Sequence, residues 1–166
     1  MQNAIPVKIQ LDPGARIPCR AHTTDTGYDI HCLTTTTEVL IEDKWVPLPT
    51  HMVDKQWRIV IDTGVHLQPP IGWAFSLRPN SRNGKSRFRW SFSPGTIDQG
   101  YTGSIKIILE PRTIRTKPAH APQRGQVCGQ LVLERVYTAD FILTPSLTTT
   151  DRGSHGFGST ENKENA

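Results

Sequence analysis

No apolar run in the 166-residue chain is long enough to span a bilayer, and no basic, apolar, small-residue leader opens it. Those absences predict a soluble, unprocessed intracellular protein, cytoplasmic or nuclear, with no membrane partner. Cysteine is scarce: Cys19, Cys32 and Cys128 are odd in number, form no CxxC pair, and are accompanied by no histidine cluster at zinc spacing. A disulfide framework and a structural zinc knot are thereby excluded, and free thiols in a reducing compartment are expected. Helical periodicity is missing too. Apolar residues alternate with polar ones or come in short runs cut by 13 glycines and 13 prolines, the pattern of an all-β chain. The length suits one domain with a core of its own, and nothing requires a second.

Acids are absent from one place where charge concentrates. Arg78, Arg82, Lys85, Arg87 and Arg89 fall within twelve residues that contain no Asp or Glu, in a chain whose net charge is only +4. Such a run predicts an anionic partner. Nucleic acid, a phosphate-bearing small molecule and a merely solvated loop all fit the charge. The Gly84-Lys85-Ser86 within it resembles the end of a Walker A loop, but Pro79 stands where that loop needs its first glycine, and Arg87-Phe88-Arg89-Trp90 follows in place of a helix.

Strands are expected at Val7–Leu11, in the short stretch entered by Gly27-Tyr28-Asp29-Ile30, along the threonine run at 34–37, at Trp45–Pro49, at Trp57–Ile61, at Trp73–Arg78, at Ile105–Leu109 and at Val127–Val136, with Phe141-Ile142-Leu143 as a last one. From Thr144 the chain turns Thr/Ser/Gly-rich. The sequence therefore divides into a β-domain over 1–143 and a flexible arm over 144–166.

Two stretches carry chemistry. Gly95-Thr96-Ile97-Asp98-Gln99-Gly100-Tyr101-Thr102-Gly103 places one carboxylate and one aromatic ring at a glycine-punctuated turn, predicted to be a short hairpin. Its three glycines allow positive φ and close backbone approach to a ligand. Inside the arm, Arg152-Gly153-Ser154-His155-Gly156-Phe157-Gly158-Ser159-Thr160 offers a guanidinium for phosphate and a ring for a base, the makings of a closing flap.

In order, these stretches resemble the trimeric deoxyuridine triphosphatases, the dUTPases, over about residues 24–160. Residues 95–103 are similar to the family's third motif throughout, and residues 152–160 to its fifth. Gly27-Tyr28-Asp29-Ile30 resembles the first, with Thr26 where alanine is usual. Gly125 and Gln130-Leu131 resemble the fourth, with Gln126 and Val127 replacing its Asp-Arg. The second motif departs, since Pro79-Asn80-Ser81 stands where the family has Pro-Arg-Ser.

The resemblance implies a distorted jelly-roll β-barrel assembling as a homotrimer with shared sites, and hydrolysis of dUTP to dUMP and pyrophosphate. Asp98 would activate the water that attacks the α-phosphate. Main-chain groups near Gly95 and Lys106 would read uracil, and the Tyr101 ring would leave no room for a ribose 2′-hydroxyl. Asn80, Ser81, Arg82 and Gln130 would line the phosphates, with Arg152, Phe157, Gly158, Ser159 and Thr160 closing over them. Asp29 is given a structural or supporting place. Arg78 and Arg82 both stand open as substitutes for the missing arginine. Mg2+ would ride on the triphosphate, with no protein cage. Alternatives are a nucleotide- or protein-binding module of this descent that no longer turns over, a dCTP deaminase of related fold, and a nucleic-acid binder using residues 78–89. The retained Asp98, tyrosine turn and flap favour the hydrolase, which makes nucleic acid an unlikely partner.

Overall fold

The computed structural model describes residues 4–47 and 56–154. Among these the chain is nearly all strand: β1 (Lys8–Leu11), β2 (Tyr28–His31), β3 (Thr34–Ile41), β4 (Lys44–Pro47), β5 (Trp57–Asp62), β6 (Val65–Gln68), β7 (Trp73–Arg78), β8 (Phe88–Trp90), β9 (Gly95–Ile97), β10 (Lys106–Pro111) and β11 (Val127–Arg135). Two 3₁₀ turns, Ser81–Lys85 and Pro118–His120, interrupt them. The strands form a pair β1-β6, a five-stranded sheet β4-β3-β5-β10-β8 and a four-stranded sheet β2-β11-β7-β9, with every pairing antiparallel.

Alternation explains which face is buried. Trp57, Ile59 and Ile61 of β5 point inward while Arg58, Val60 and Asp62 are half-exposed, and Ile107 and Leu109 of β10 do the same. Ala74–Leu77 of β7 are buried in succession because β7 lies inside its sheet with both faces covered. All three sheets contribute to one apolar cluster, in which Ile30, Ile61, Leu67, Leu77, Phe88, Ile107 and Leu131 meet. Trp57 and Phe88 cross edge-to-face at 6.0 Å. The result is the all-β fold that the alternation predicts, consistent with the jelly roll that the resemblance implies.

Two local expectations need correction. Phe141-Ile142-Leu143 forms no strand: β11 ends at Arg135, and Phe141 and Leu143 are 91% and 100% exposed, with no strand beside them among the described residues. The basic Phe88-Arg89-Trp90, to which the sequence assigned no element, is a strand, because Phe88 turns into the core while Arg89 faces water against Glu110. The second correction concerns residues 95–109. β9 pairs with β7 in one sheet, whereas β10 pairs with β5 and β8 in the other. The expected hairpin is splayed across two sheets.

The threonine and tryptophan stretch is a β3–β4 extension of the five-stranded sheet. Arg58 holds it, 2.7 Å from Glu38 and 4.1 Å above the Trp45 ring. Because Ile107 is fully buried at the join of sheet and core, Ile107→Ala should cost about 2–5 kcal/mol. A shift of the urea midpoint checks this, and an unchanged midpoint would contradict the described core.

Candidate active site

Asp98 leaves the end of β9 and is exposed. Its carbonyl accepts the Tyr101 N–H at 3.0 Å, which closes a turn. The Tyr101 hydroxyl then donates to the Ser104 carbonyl at 2.8 Å, so the ring folds back along its own loop, 44% exposed. Gly103 makes that possible, since a Cβ there would stand 2.6 Å from the Tyr101 hydroxyl. Gly95 is buried for a similar reason, with the Phe92 ring 2.8 Å from where its Cβ would be. Neither glycine, nor Gly100, has a positive φ. Close approach, not left-handed backbone, is what Gly95 and Gly103 supply, and nothing lies within 4 Å of a Cβ at Gly100.

The far end of this loop is bolted to the β5–β6 turn. Thr63 is fully buried, and both its backbone N–H (3.2 Å) and its hydroxyl (2.8 Å) donate to the Ile105 carbonyl. The Ile105 N–H donates to Val65 at 2.9 Å. Asp62 accepts from the Ser104 hydroxyl and from the Gly64 N–H at 3.0 Å, and Lys106 lies 3.7 Å from its other oxygen. Burial alone pushes the Asp62 carboxyl upward, but the Ser104 and Gly64 hydrogen bonds with the Lys106 and His66 charges outweigh it, and the net direction is down. His66 Nδ1 meets the Thr102 carbonyl at 2.8 Å and its Nε2 faces Asp12 at 3.3 Å. The Thr102 carbonyl, then Asp12, raise the His66 pKa against the opposing pull of burial.

A second group gathers on the four-stranded sheet. Gln130 sits on β11 between Asp29 on β2 and Arg78 on β7. Its amide donates to the Pro79 carbonyl at 3.2 Å, and its Oε1 occupies the space that a Cβ at Gly27 would invade at 2.5 Å. The chain then turns: the Asn80 N–H donates to the Asn83 side chain at 2.7 Å and the Asn83 N–H to the Asn80 carbonyl at 3.0 Å. Exposed Ser81 begins the 3₁₀ turn. Arg78, one of the two candidate substitutes, does not reach toward this turn. Its guanidinium pairs with Glu134, and its Nε donates to Ser76 at 3.0 Å.

Within the chain the two groups lie at opposite ends of β7. Phe75 faces Ile97 and Leu77 faces Gly95, so Asp98 continues past the Ala74 end while Pro79–Ser81 follow from Arg78. Four residues of strand at about 3.3 Å each put roughly 13 Å between those levels. Between them β9 is an edge strand, with β7 as its only partner among the described residues. Its outer backbone groups and the start of β10 are left without a shared ladder. Arg152 lies in an exposed turn in which the Gly153 N–H donates to Thr150. Phe157, Gly158, Ser159 and Thr160 lie outside the described residues, as does the rest of the arm beyond Ser154.

The anchoring residues Asp62, Thr63, His66 and Ser104 are not singled out by the sequence. The Asp62-Thr63-Gly64 turn was its only signal, and their partners stand 36 to 42 residues away in the chain.

A family model described as dUTPase matches residues 14–161. The chain belongs to the dUTPase family. The deoxyuridine 5′-triphosphate nucleotidohydrolase of Corynebacterium efficiens is 36% identical over 159 residues, covering 92% of this chain and 75% of the relative. That of Nocardia farcinica is 35% identical over 159 residues, covering 93% and 84%. Among solved structures, the dUTPase of Staphylococcus bacteriophage 80alpha with dUpNHpp superposes with a TM-score of 0.70 at 24% identity, over 93% of this chain and 97% of that one. A mutant dUTPase of the S. aureus phage phi11, described as coordinating a structural Mg(II) ion, superposes at 0.64 with 22% identity, over 87% and 99%. Both phage enzymes share the fold, and the match to the family model reaches the Asp98 loop, the Gln130 sheet and Arg152.

The anchors of the dUTPase loop have opposite pH windows. The raised His66 pKa contributes stability that is full below its ordinary value of about 6.5 and lost as pH rises through the folded value, whereas the Asp62 contribution is present above the ordinary carboxylate range and lost as pH falls. His66→Leu should therefore destabilise the protein more at about pH 5.5 than at about pH 8.5. Denaturant midpoints of both proteins at the two pH values test this, and an equal penalty at both would refute it.

Proposed function

We propose that this chain hydrolyses dUTP to dUMP and pyrophosphate, which limits uracil incorporation into DNA. One observation carries the reading: in a chain of the dUTPase family, the exposed Asp98 stands one turn from a Tyr101 ring whose loop is fixed at both ends. Asp98 takes the proton of the water that attacks the α-phosphate in line, and pyrophosphate departs. The splayed β9 and β10 supply main-chain donors and acceptors at fixed positions to the uracil edge, a task that suits backbone because it cannot rotate away. Tyr101, held by its own hydroxyl to Ser104, closes the space beside the sugar C2′.

Gln130, Ser81 and the amides of the Asn80 turn receive the phosphates. With Arg78 engaged by Glu134, Arg82 is the arginine assigned to the charge that Asn80 does not carry. Arg152 and Phe157, with Gly158–Thr160, close over phosphate and base. Asp29 and Gln130 face each other on neighbouring strands, a hard oxygen pair that fits a Mg2+ carried on the triphosphate with most of its waters. When bound, that ion neutralises phosphate charge.

The separation of Asp98 from the phosphate residues along β7 supports a shared site, in which the Asp98 loop of one copy faces the Gln130 sheet of another. The exposed Val136, Tyr137, Phe141, Ile142 and Leu143 supply apolar surface for that assembly. A homotrimer is the arrangement proposed.

Asp98→Asn keeps the shape and removes the base, so turnover measured as pyrophosphate release should fall by about 10²–10⁴ while binding of a non-hydrolysable analogue persists. Undiminished turnover would overturn the assignment. Tyr101→Ala should make UTP a measurable substrate, whereas unchanged preference for dUTP would place sugar recognition elsewhere.

A further inference from the structure

Away from the Asp98 loop and the Gln130 group, two glycine turns enclose a cavity of about 290 Å³ at the outer end of β2 and β11. One turn carries Gly14 and Arg16, the other Arg124 and Gly125, and His31 lies on the wall between them. Gly14 and Gly125 both have left-handed backbones, with φ of 87° and 80°. Each arginine lies against the other turn's glycine. A Cβ at Gly14 would meet Arg124 Nη2 at 2.2 Å, and one at Gly125 would meet Arg16 Nη2 at 3.3 Å. Side chains at either glycine would push the guanidiniums apart.

Both arginines line the cavity and are exposed, and among the described residues neither has a carboxylate within ion-pair distance. Arg16 makes one long contact, 3.4 Å to the Gly125 carbonyl. Cys32, the cavity's other reactive group, has its thiol pKa raised by burial and so adds no negative charge. His31 Nδ1 is buried with no hydrogen-bond partner. The cavity thus presents two guanidiniums with no acid opposite them, a donor set that matches an oxyanion.

We propose that the cavity bounded by Arg16, His31 and Arg124 is a binding site for a small phosphate-class anion, orthophosphate or pyrophosphate. The two guanidiniums supply forked donors that match phosphate oxygens, and the His31 ring on the cavity wall adds a positive charge when protonated. The ring's resting state agrees: burial first, then the Arg16 charge, lower the His31 pKa, with Asp29 on the same strand pulling the other way. A bound dianion reverses the balance, so binding and protonation of His31 favour each other, and affinity rises as pH falls through the His31 titration range.

The test uses the full chain with no nucleotide. The His31 ring signal, assigned with His31→Gln, is followed by NMR while orthophosphate or pyrophosphate replaces chloride at constant ionic strength. A saturable shift is expected, with the His31 pKa raised at saturation. Loss of one charge-assisted partner in Arg124→Gln or Arg16→Gln should weaken binding at least about tenfold. Tighter binding of pyrophosphate would identify a reaction product as the source, and tighter binding of orthophosphate the free anion. The proposal fails if the shift does not saturate, if chloride alone produces it, or if the double arginine variant binds as well as the parent. Dispensing with turnover keeps this result separate from the dUTP assignment.

Discussion

One carbonyl, that of Ile105, does more to shape the molecule than any other group. It accepts from both the backbone and the side chain of Thr63, a polar residue with no solvent exposure. Left unpaired in that position, either partner would cost about 1–3 kcal/mol. The bond pair fixes where the chain leaves the Asp98 loop and enters β10, and so fixes which sheet β10 joins. Ser104, Lys106 and His66 then add charged and neutral contacts around the same point. The loop that carries Asp98 and Tyr101 is fixed because its end is part of the core.

Splaying β9 and β10 into different sheets has a second effect. A closed hairpin would spend its inner backbone groups on itself, whereas an open one keeps them for a ligand. The same topology puts Asp98 and the Asn80–Asn83 turn at opposite ends of β7. The proposed function therefore requires the proposed assembly, since the two groups are apart within one chain.

The alternation of Trp57, Ile59 and Ile61, and of Ile107 with Leu109, made the strands legible, and the glycine-spaced Asp98 and Tyr101 were the sequence's candidates for the site. Pairing partners were not legible. Residues 95–109 read as one hairpin because sequence shows proximity along the chain, while Leu77 and Asp62, which capture β9 and β10 respectively, lie 18 and 44 residues away from Gly95 and Lys106. Phe141-Ile142-Leu143 misled for the opposite reason: three apolar residues have strand propensity, but a strand needs a neighbour, and β11 ends before them. Arg78 and Arg82 stood open as substitutes for the missing arginine, and the sequence could not show that Glu134, 56 residues on, pairs with Arg78.

β9 is an open edge three residues long, preceded by Pro94. Exposed edges commonly recruit the strands of other chains and seed aggregation, and proteins blunt them by keeping them short. Here three residues leave little ladder for a foreign strand to pair with, while the outer backbone groups of the edge stay open.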